Sequence, residues 1–123
     1  MDGQESKCRP LTIGERDLIR WMLEHGRPEA TPFLAQLDSV RVTPWRCECG
    51  CASFNLVFEG RPAPSGGMEV LGDFVTGTDA ELSGIFVFAQ NSLLAGVEVY
   101  GMAGDAPKSL PPPESLRPLE HIP

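Results

Sequence analysis

The sequence predicts an α+β domain in which an N-terminal helix pair packs on an antiparallel, mostly meandering sheet of about five strands. Apolar residues at helical spacing occur only in the first third of the chain. Alternating patterns typical of strands follow, and the last segment is rich in proline. We therefore expect one domain at 1–105, with helices in 12–38 and the sheet in 40–101, followed by a tail at 106–123. At 123 residues the chain can bury about two-thirds of its unfolded surface in one core.

The first helix has a start signal, an apolar stripe and a stop signal. Thr12 and Glu15 have the spacing of a capping box, in which each side chain bonds the other residue's backbone N–H. Gly26 and Pro28 mark its end, because glycine permits a left-handed cap and proline refuses continuation. The apolar face consists of Leu18, Ile19, Met22 and Leu23.

A shorter second helix is predicted after Thr31, which can cap it, with Pro32 at its first position. Phe33, Leu34 and Leu37 form its apolar face. The two helices then form a hairpin that presses one shared face onto the sheet.

Alternating apolar residues predict the strands. Pro44 weakens the first strand, which suits an edge position, and Gly72 marks a bulge or a close approach in the third. The pair Asn91-Ser92 is compatible with a two-residue hairpin turn between the last two strands. The predicted strands begin at Val40 and then cover Phe54–Glu59, Val70–Thr76, Ile85–Gln90 and Leu93–Tyr100.

A two-residue turn would place Gln90 opposite Leu93 and would make both faces of the last hairpin apolar. Because the helices can cover only one face, the other must curl on itself, be covered by the tail or meet a partner, such as a second copy. In this register one face carries Phe86, Phe88, Ala95, Val97 and Val99, and the other carries Ile85, Val87, Ala89, Leu94, Glu98 and Tyr100.

The prolines of the tail exclude helix and sheet and favour an extended polyproline path. Apolar residues recur there at multiples of three, the period of that conformation. They would line one side of an arm that is strapped over its own domain, reaches a partner or is disordered. These residues are Leu110, Leu116, Leu119 and Ile122.

The net charge of −7 lies entirely after Arg46, since the residues up to Arg46 are balanced. Such an acidic chain lacks the basic footprint that nucleic-acid or anionic-membrane binding needs. The first ten residues have no apolar core of a signal peptide, and the longest apolar run, Ile85–Ala89, is far shorter than a membrane span. We therefore expect a cytoplasmic protein with reduced thiols.

Three of the four cysteines form the segment Cys47-Glu48-Cys49-Gly50-Cys51. In a straight strand alternate residues are about 6.6 Å apart, whereas zinc needs its sulfurs about 3.8 Å from one another. A turn at Gly50 could bring Cys47, Cys49 and Cys51 together as zinc ligands.

A fourth zinc ligand would come from Cys8, His25, His121 or a carboxylate, and no spacing selects one. The thiols can also be structural. A redox dithiol at Cys49 and Cys51 is a further possibility, although nothing nearby supplies the cationic setting that lowers a thiol pKa. His25 lies at the end of the first helix, where capping is its expected role.

No catalytic motif and no cofactor-binding motif occurs in the sequence, so we predict no catalytic residue. Acidic side chains on strands and turns could form an acid–base pair or a cation site, but none has calcium-loop spacing. These are Glu69, Asp73, Asp79, Glu81 and Glu98.

Four segments together resemble a family of small uncharacterised bacterial proteins, a domain of unknown function. The resemblance implies a bacterial, cytoplasmic, single-domain protein without an assigned activity, and it carries no site residue across. The segments are Arg9–Gly26, Cys47–Cys51, Gly84–Gly101 and Leu110–Leu119.

The sequence therefore favours a non-enzymatic protein-binding or regulatory module that presents an acidic, sheet-side surface to a protein partner or a second copy. An immunity-like inhibitor of a basic toxin belongs to this class, because acidic surfaces steer basic partners. The alternatives are a zinc protein organised by Cys47, Cys49 and Cys51, and a small enzyme with an unidentified carboxylate site.

Overall fold

The first helix, α1 (Ile13–Glu24), has the predicted capping box. The Thr12 hydroxyl accepts from the Glu15 N–H at 3.1 Å, and a Glu15 carboxylate oxygen accepts from the Thr12 N–H at 2.9 Å. Both carboxylate oxygens of Glu15 also accept from the Arg9 guanidinium at 2.9 Å, so the start of the helix is tied to the preceding strand. The predicted apolar face is buried.

The second helix differs from the prediction, because it is a 3₁₀ helix over Pro28–Gln36 with Pro32 inside it. Proline lacks the N–H that a regular α-helix needs at that position. Pro28 takes the first helical position, and the preceding Arg27 N–H bonds the Leu71 carbonyl at 2.8 Å. Leu37 is buried, and Phe33 and Leu34 pack against the core as expected.

The computed structural model describes residues 8–119, and over them the protein is α+β with one antiparallel sheet. None of the helices in this range is long and apolar enough to cross a membrane. The sheet has seven strands: β1 (Arg9–Pro10), β2 (Val40–Val42), β3 (Phe54–Phe58), β4 (Met68–Thr76), β5 (Ser83–Gln90), β6 (Leu93–Gly101) and β7 (Arg117–Pro118).

The order of the strands is β1-β2-β3-β6-β5-β4-β7, which corrects the prediction in three ways. Two further strands of two residues each, β1 and β7, raise the number of strands from the predicted five to seven. The strand at Val40 is not an edge, because β1 pairs with it. The meander is interrupted, because residues 59–67 carry the chain from β3 across to β4, and β3 pairs with β6 in a Greek-key order.

The hairpin of β5 and β6 has the predicted two-residue turn, with Asn91 and Ser92 both at positive φ and Gln90 opposite Leu93. A bulge then shifts the register by one residue, so Phe88 lies opposite Gly96, not Ala95. The predicted faces are therefore wrong beyond the bulge. The face toward α1 carries Ile85, Val87, Ala89, Leu94, Val97 and Val99.

Aromatic rings occupy the opposite face of this hairpin. The Phe86 ring lies 5.8 Å from the Phe88 ring and 6.1 Å from the Tyr100 ring, centroid to centroid. Gly84, the cross-strand partner of Tyr100, has no side chain, and any Cβ there would strike the tyrosine ring. Phe88 is buried on this face, and Phe86 and Tyr100 are half-buried.

Gly26 follows α1 as predicted, but its backbone is not in the left-handed region. A Cβ at Gly26 would collide with the Leu71 carbonyl oxygen and would lie 2.7 Å from the Met22 carbonyl oxygen. Glycine is needed because the end of the helix rests directly on β4 at Gly72, beside a bulge in that strand.

The tail lies along its own domain and contains a helical turn and a short strand. The prediction that its prolines exclude helix and sheet is therefore wrong. Residues Pro113–Ser115 form a 3₁₀ turn, and β7 pairs with β4. Leu116 is 7 % exposed and belongs to the core, and Leu110 packs against it. Residues 120–123, which include His121 and Ile122, lie outside the described residues.

We expect Gly26→Ala to lower the free energy of unfolding by about 1–3 kcal/mol, the usual cost of overpacking. Gly14 is the matched control, because it lies in α1 with nothing within 4 Å of a Cβ. Gly14→Ala should raise the free energy of unfolding by about 0.5 kcal/mol through helix propensity. Urea unfolding measures both, and a neutral Gly26→Ala would contradict the close approach.

Candidate metal centre

The three neighbouring cysteines lie on the segment of residues 43–53, which joins β2 to β3. A tight turn forms within it, in which the Gly50 N–H donates to the Cys47 carbonyl at 3.0 Å. Gly50 has a φ of 83°, a conformation that glycine adopts without steric cost. The turn expected at Gly50 is therefore present.

This turn gathers the thiols of Cys47, Cys49 and Cys51, whose sulfur atoms all lie within 4.8 Å of one another. The Cys47 and Cys49 sulfurs are 2.9 Å apart, and the Cys51 N–H donates to the Cys49 sulfur at 3.3 Å. Cys49 is exposed, whereas Cys47 and Cys51 are half-buried. Potential metal donors are thus concentrated at the surface of the domain.

Ser53 fixes the end of the thiol segment to the sheet. Its buried hydroxyl accepts from the Val99 N–H at 2.9 Å and donates to the Val99 carbonyl at 3.3 Å. The Cys51 thiol donates to the same hydroxyl at 3.4 Å. One residue earlier, the Ala52 N–H bonds the Pro107 carbonyl at 2.9 Å, so the tail also holds this segment.

A basic residue from the tail lies at the turn, although no basic residue contributes to the pKa shifts of Cys47 and Cys51. The Lys108 ammonium donates to the Cys49 carbonyl at 3.3 Å. Nearly sixty residues separate the two in the chain, so no local motif signals the contact. Arg46 directly precedes Cys47 in the chain.

Hydrogen bonds in and beside the cluster give the Cys47 and Cys51 thiols different pKa values. Burial raises the pKa of the Cys51 thiol, but hydrogen bonds that its thiolate form accepts from Ser53, Cys49 and Cys47 outweigh burial and lower this pKa to about 7. The hydrogen bond with Cys49 acts oppositely on Cys47 and raises its pKa to about 11. Cys51 is therefore the first of these two thiols to become a thiolate as the pH rises.

The candidates for a fourth ligand do not join the group, which among residues 8–119 holds three donors. His25 caps α1, stacks on Trp21 at 4.1 Å between ring centroids and places its Nδ1 2.8 Å from the Trp21 carbonyl. The carbonyl of Cys8 accepts from the Arg41 guanidinium at 2.8 Å. His121 lies outside the described residues.

The acidic residues considered for an enzyme do not form a metal-binding group in the described part of the chain. Glu69, Asp79 and Glu81 are exposed. Asp73 is half-buried on β4, where burial raises the pKa of its carboxyl group despite the opposing effects of Arg27 and Tyr100. Burial, together with the same contact with Asp73, raises the pKa of Tyr100.

A groove of about 450 Å³, which we call the thiol groove, runs beside the cluster and shares Cys51 with it. Arg9 and Glu15 lie in its wall and bind each other, and Arg9 lowers the pKa of the Glu15 carboxyl group. Its wall also includes Thr43, Trp45, Arg46, Ser53, Lys108 and Ser109.

No model of a protein family, no curated protein and no solved structure matches the chain. The resemblance to small bacterial proteins stays a prediction, and the chemistry of the site is argued from its geometry.

We expect Ser53→Ala to lower the free energy of unfolding by about 1–3 kcal/mol, because it leaves the buried Val99 N–H and carbonyl without their partner. Ser109→Ala is the control, since Ser109 is exposed in the same groove, and it should leave stability unchanged. Urea unfolding compares the two variants, and equal stabilities would show that the Ser53 hydroxyl does not anchor the segment to Val99.

In the metal-free protein, iodoacetamide should alkylate Cys51 well before Cys47 between about pH 6 and pH 8, because the thiolate is the reactive form. The rate at Cys51 should rise with pH and level off above its pKa of about 7. Tandem mass spectrometry of the alkylated protein locates the label. Preferential labelling of Cys47 would overturn the assigned order of acidities.

Proposed function

We propose that this protein binds a zinc ion through the thiolates of Cys47, Cys49 and Cys51. The observation that carries the proposal is the convergence of three sulfur atoms within 4.8 Å. The donor type favours zinc, since thiolates select soft and borderline metals over magnesium or calcium.

The sulfur spacing supports the proposal quantitatively. Zinc–sulfur bonds of about 2.3 Å in a tetrahedron place the sulfurs about 3.8 Å apart. The Cys47 and Cys49 sulfurs are 2.9 Å apart and no two of the three sulfurs are more than 4.8 Å apart, so each pair lies within about 1 Å of this value or closer together. Small side-chain rotations therefore suffice, and each thiol loses its proton to solvent as its sulfur coordinates the metal.

Three ligands distinguish this site from a closed structural zinc site, which has four protein ligands. The described residues contribute three donors to the group. Zinc sites with three protein ligands and one open position are typical of metals that meet another molecule. The proposed role is thus to hold zinc in an accessible form.

Two basic residues near the cluster can offset the charge of such a complex. Zinc with three thiolates carries a net charge of about −1, from the ion's +2 and one negative charge on each sulfur. The Lys108 ammonium, which donates to the Cys49 carbonyl at 3.3 Å, and the neighbouring Arg46 are positioned to offset it. This matters in a chain whose overall charge is −7.

The protein-binding or immunity-like module expected from the acidic charge stays a prediction, as does the small enzyme. The thiol cluster has the more specific chemistry, because it is a defined group of donors, whereas net charge fits many partners.

Purified without a histidine tag, the protein should bind one cobalt or zinc ion per chain. Cobalt bound by thiolates gives ultraviolet charge-transfer bands and visible d–d bands that report its geometry. Cys49→Ser should weaken zinc binding at least about tenfold, as loss of a ligand predicts.

Cys8→Ser is the matched control, because it removes a cysteine outside the group of three. It should leave the cobalt spectrum and the zinc affinity unchanged. Absence of thiolate-to-cobalt bands in the reduced, folded wild-type protein would refute the proposal, and equal losses in both variants would refute the assignment of ligands.

A further inference from the structure

The thiol groove adjoins the proposed metal site. Cys51 is one of the three donors and is also part of the groove wall. A metal ion held by the three sulfurs would therefore lie beside the groove.

The groove is positively charged within an acidic protein. Three of the chain's ten lysines and arginines line it, namely Arg9, Arg46 and Lys108. Glu15, the carboxylate in its wall, is bound by Arg9 through two hydrogen bonds of 2.9 Å. The ion pairs within residues 8–119, Arg9–Glu15 and Arg16–Asp38, include neither Arg46 nor Lys108. These two side chains are placed to bind an anion.

The described part of the chain supplies no fourth donor to the cluster. Glu15 is bound by Arg9 and also accepts from the Thr12 N–H at 2.9 Å, and it is not part of the group of donors. Since no side chain within residues 8–119 completes the site, a donor that enters the groove from another molecule can take the fourth position. Sulfur is the donor that best matches three existing thiolates.

We propose that the thiol groove binds a small thiol that carries a carboxylate, whose sulfur takes the fourth position on the metal while its carboxylate pairs with Arg46 and Lys108. This inference rests on the proposed zinc site and names the ligand class that the site meets. The incoming thiol releases its proton to solvent and its sulfur donates an electron pair to the metal. No oxidation state changes.

The test uses the cobalt-loaded full chain and three probes: 3-mercaptopropionate, the neutral thiol 2-mercaptoethanol, and propionate, which has no sulfur. Titration of 3-mercaptopropionate should increase the sulfur-to-cobalt charge-transfer absorption to saturation. Its apparent dissociation constant should be about fivefold lower than that of 2-mercaptoethanol, a preference that two exposed ion pairs can supply. Propionate should not increase this absorption.

Charge variants assign the preference to the groove. Compared at saturating cobalt, Arg46→Gln and Lys108→Gln, singly and together, should reduce the preference for the carboxylate thiol toward onefold. Arg20→Gln is the control, because it removes the same charge from an exposed position on α1 outside the groove. It should leave the preference intact.

The outcomes separate the two proposals. A protein without thiolate-to-cobalt bands overturns both the zinc site and this inference. Normal cobalt bands that do not respond to 3-mercaptopropionate overturn only the inference, and so does equal affinity for the two thiols. A preference that persists in the double variant Arg46→Gln/Lys108→Gln also overturns it, because the carboxylate then binds elsewhere.

Discussion

The thiol site depends on the Ser53 side chain, which makes the hydrogen bonds to β6 that a strand backbone would otherwise make. β3 begins at Phe54, paired with Val97 on β6, and at the preceding position the Ser53 hydroxyl bonds both the N–H and the carbonyl of Val99. The chain is thereby fixed to the sheet where it leaves regular structure. Because Cys51 also bonds this hydroxyl, the position of the last thiol is set by the sheet and not by the loop alone.

The tail completes this arrangement, so it belongs to the site as much as to the fold. Leu116 is buried in the core and Arg117 pairs with Val75 on β4, which holds the chain against the sheet. Further back along the tail, the Pro107 carbonyl accepts from the Ala52 N–H, and Lys108 reaches the turn. An acidic chain thereby obtains a positive charge beside its thiols from a distant segment.

The features predictable from sequence are those with short-range causes. The Thr12–Glu15 capping box and the Asn91-Ser92 turn follow from neighbouring residues, and Gly50 signals the turn that gathers the thiols. The bulge in the β5–β6 pair, between Phe88 and Ala89, has no local sequence signal. It nevertheless places every later residue of β6 on the sheet face opposite to the predicted one. Two-residue strands and the approach of Lys108 depend on tertiary packing, which residue spacing does not encode.

The placement of the thiols outside the main core bears on what a bound metal would do. The core is formed by α1 and the sheet, whose largest fully buried side chains include Leu18, Leu56 and Leu94. Cys51 is only packed against it, and Cys49 is exposed. In zinc proteins that fold around their metal, the ion replaces a missing core. Here apolar burial supplies the core, so the proposed metal is not needed to form it.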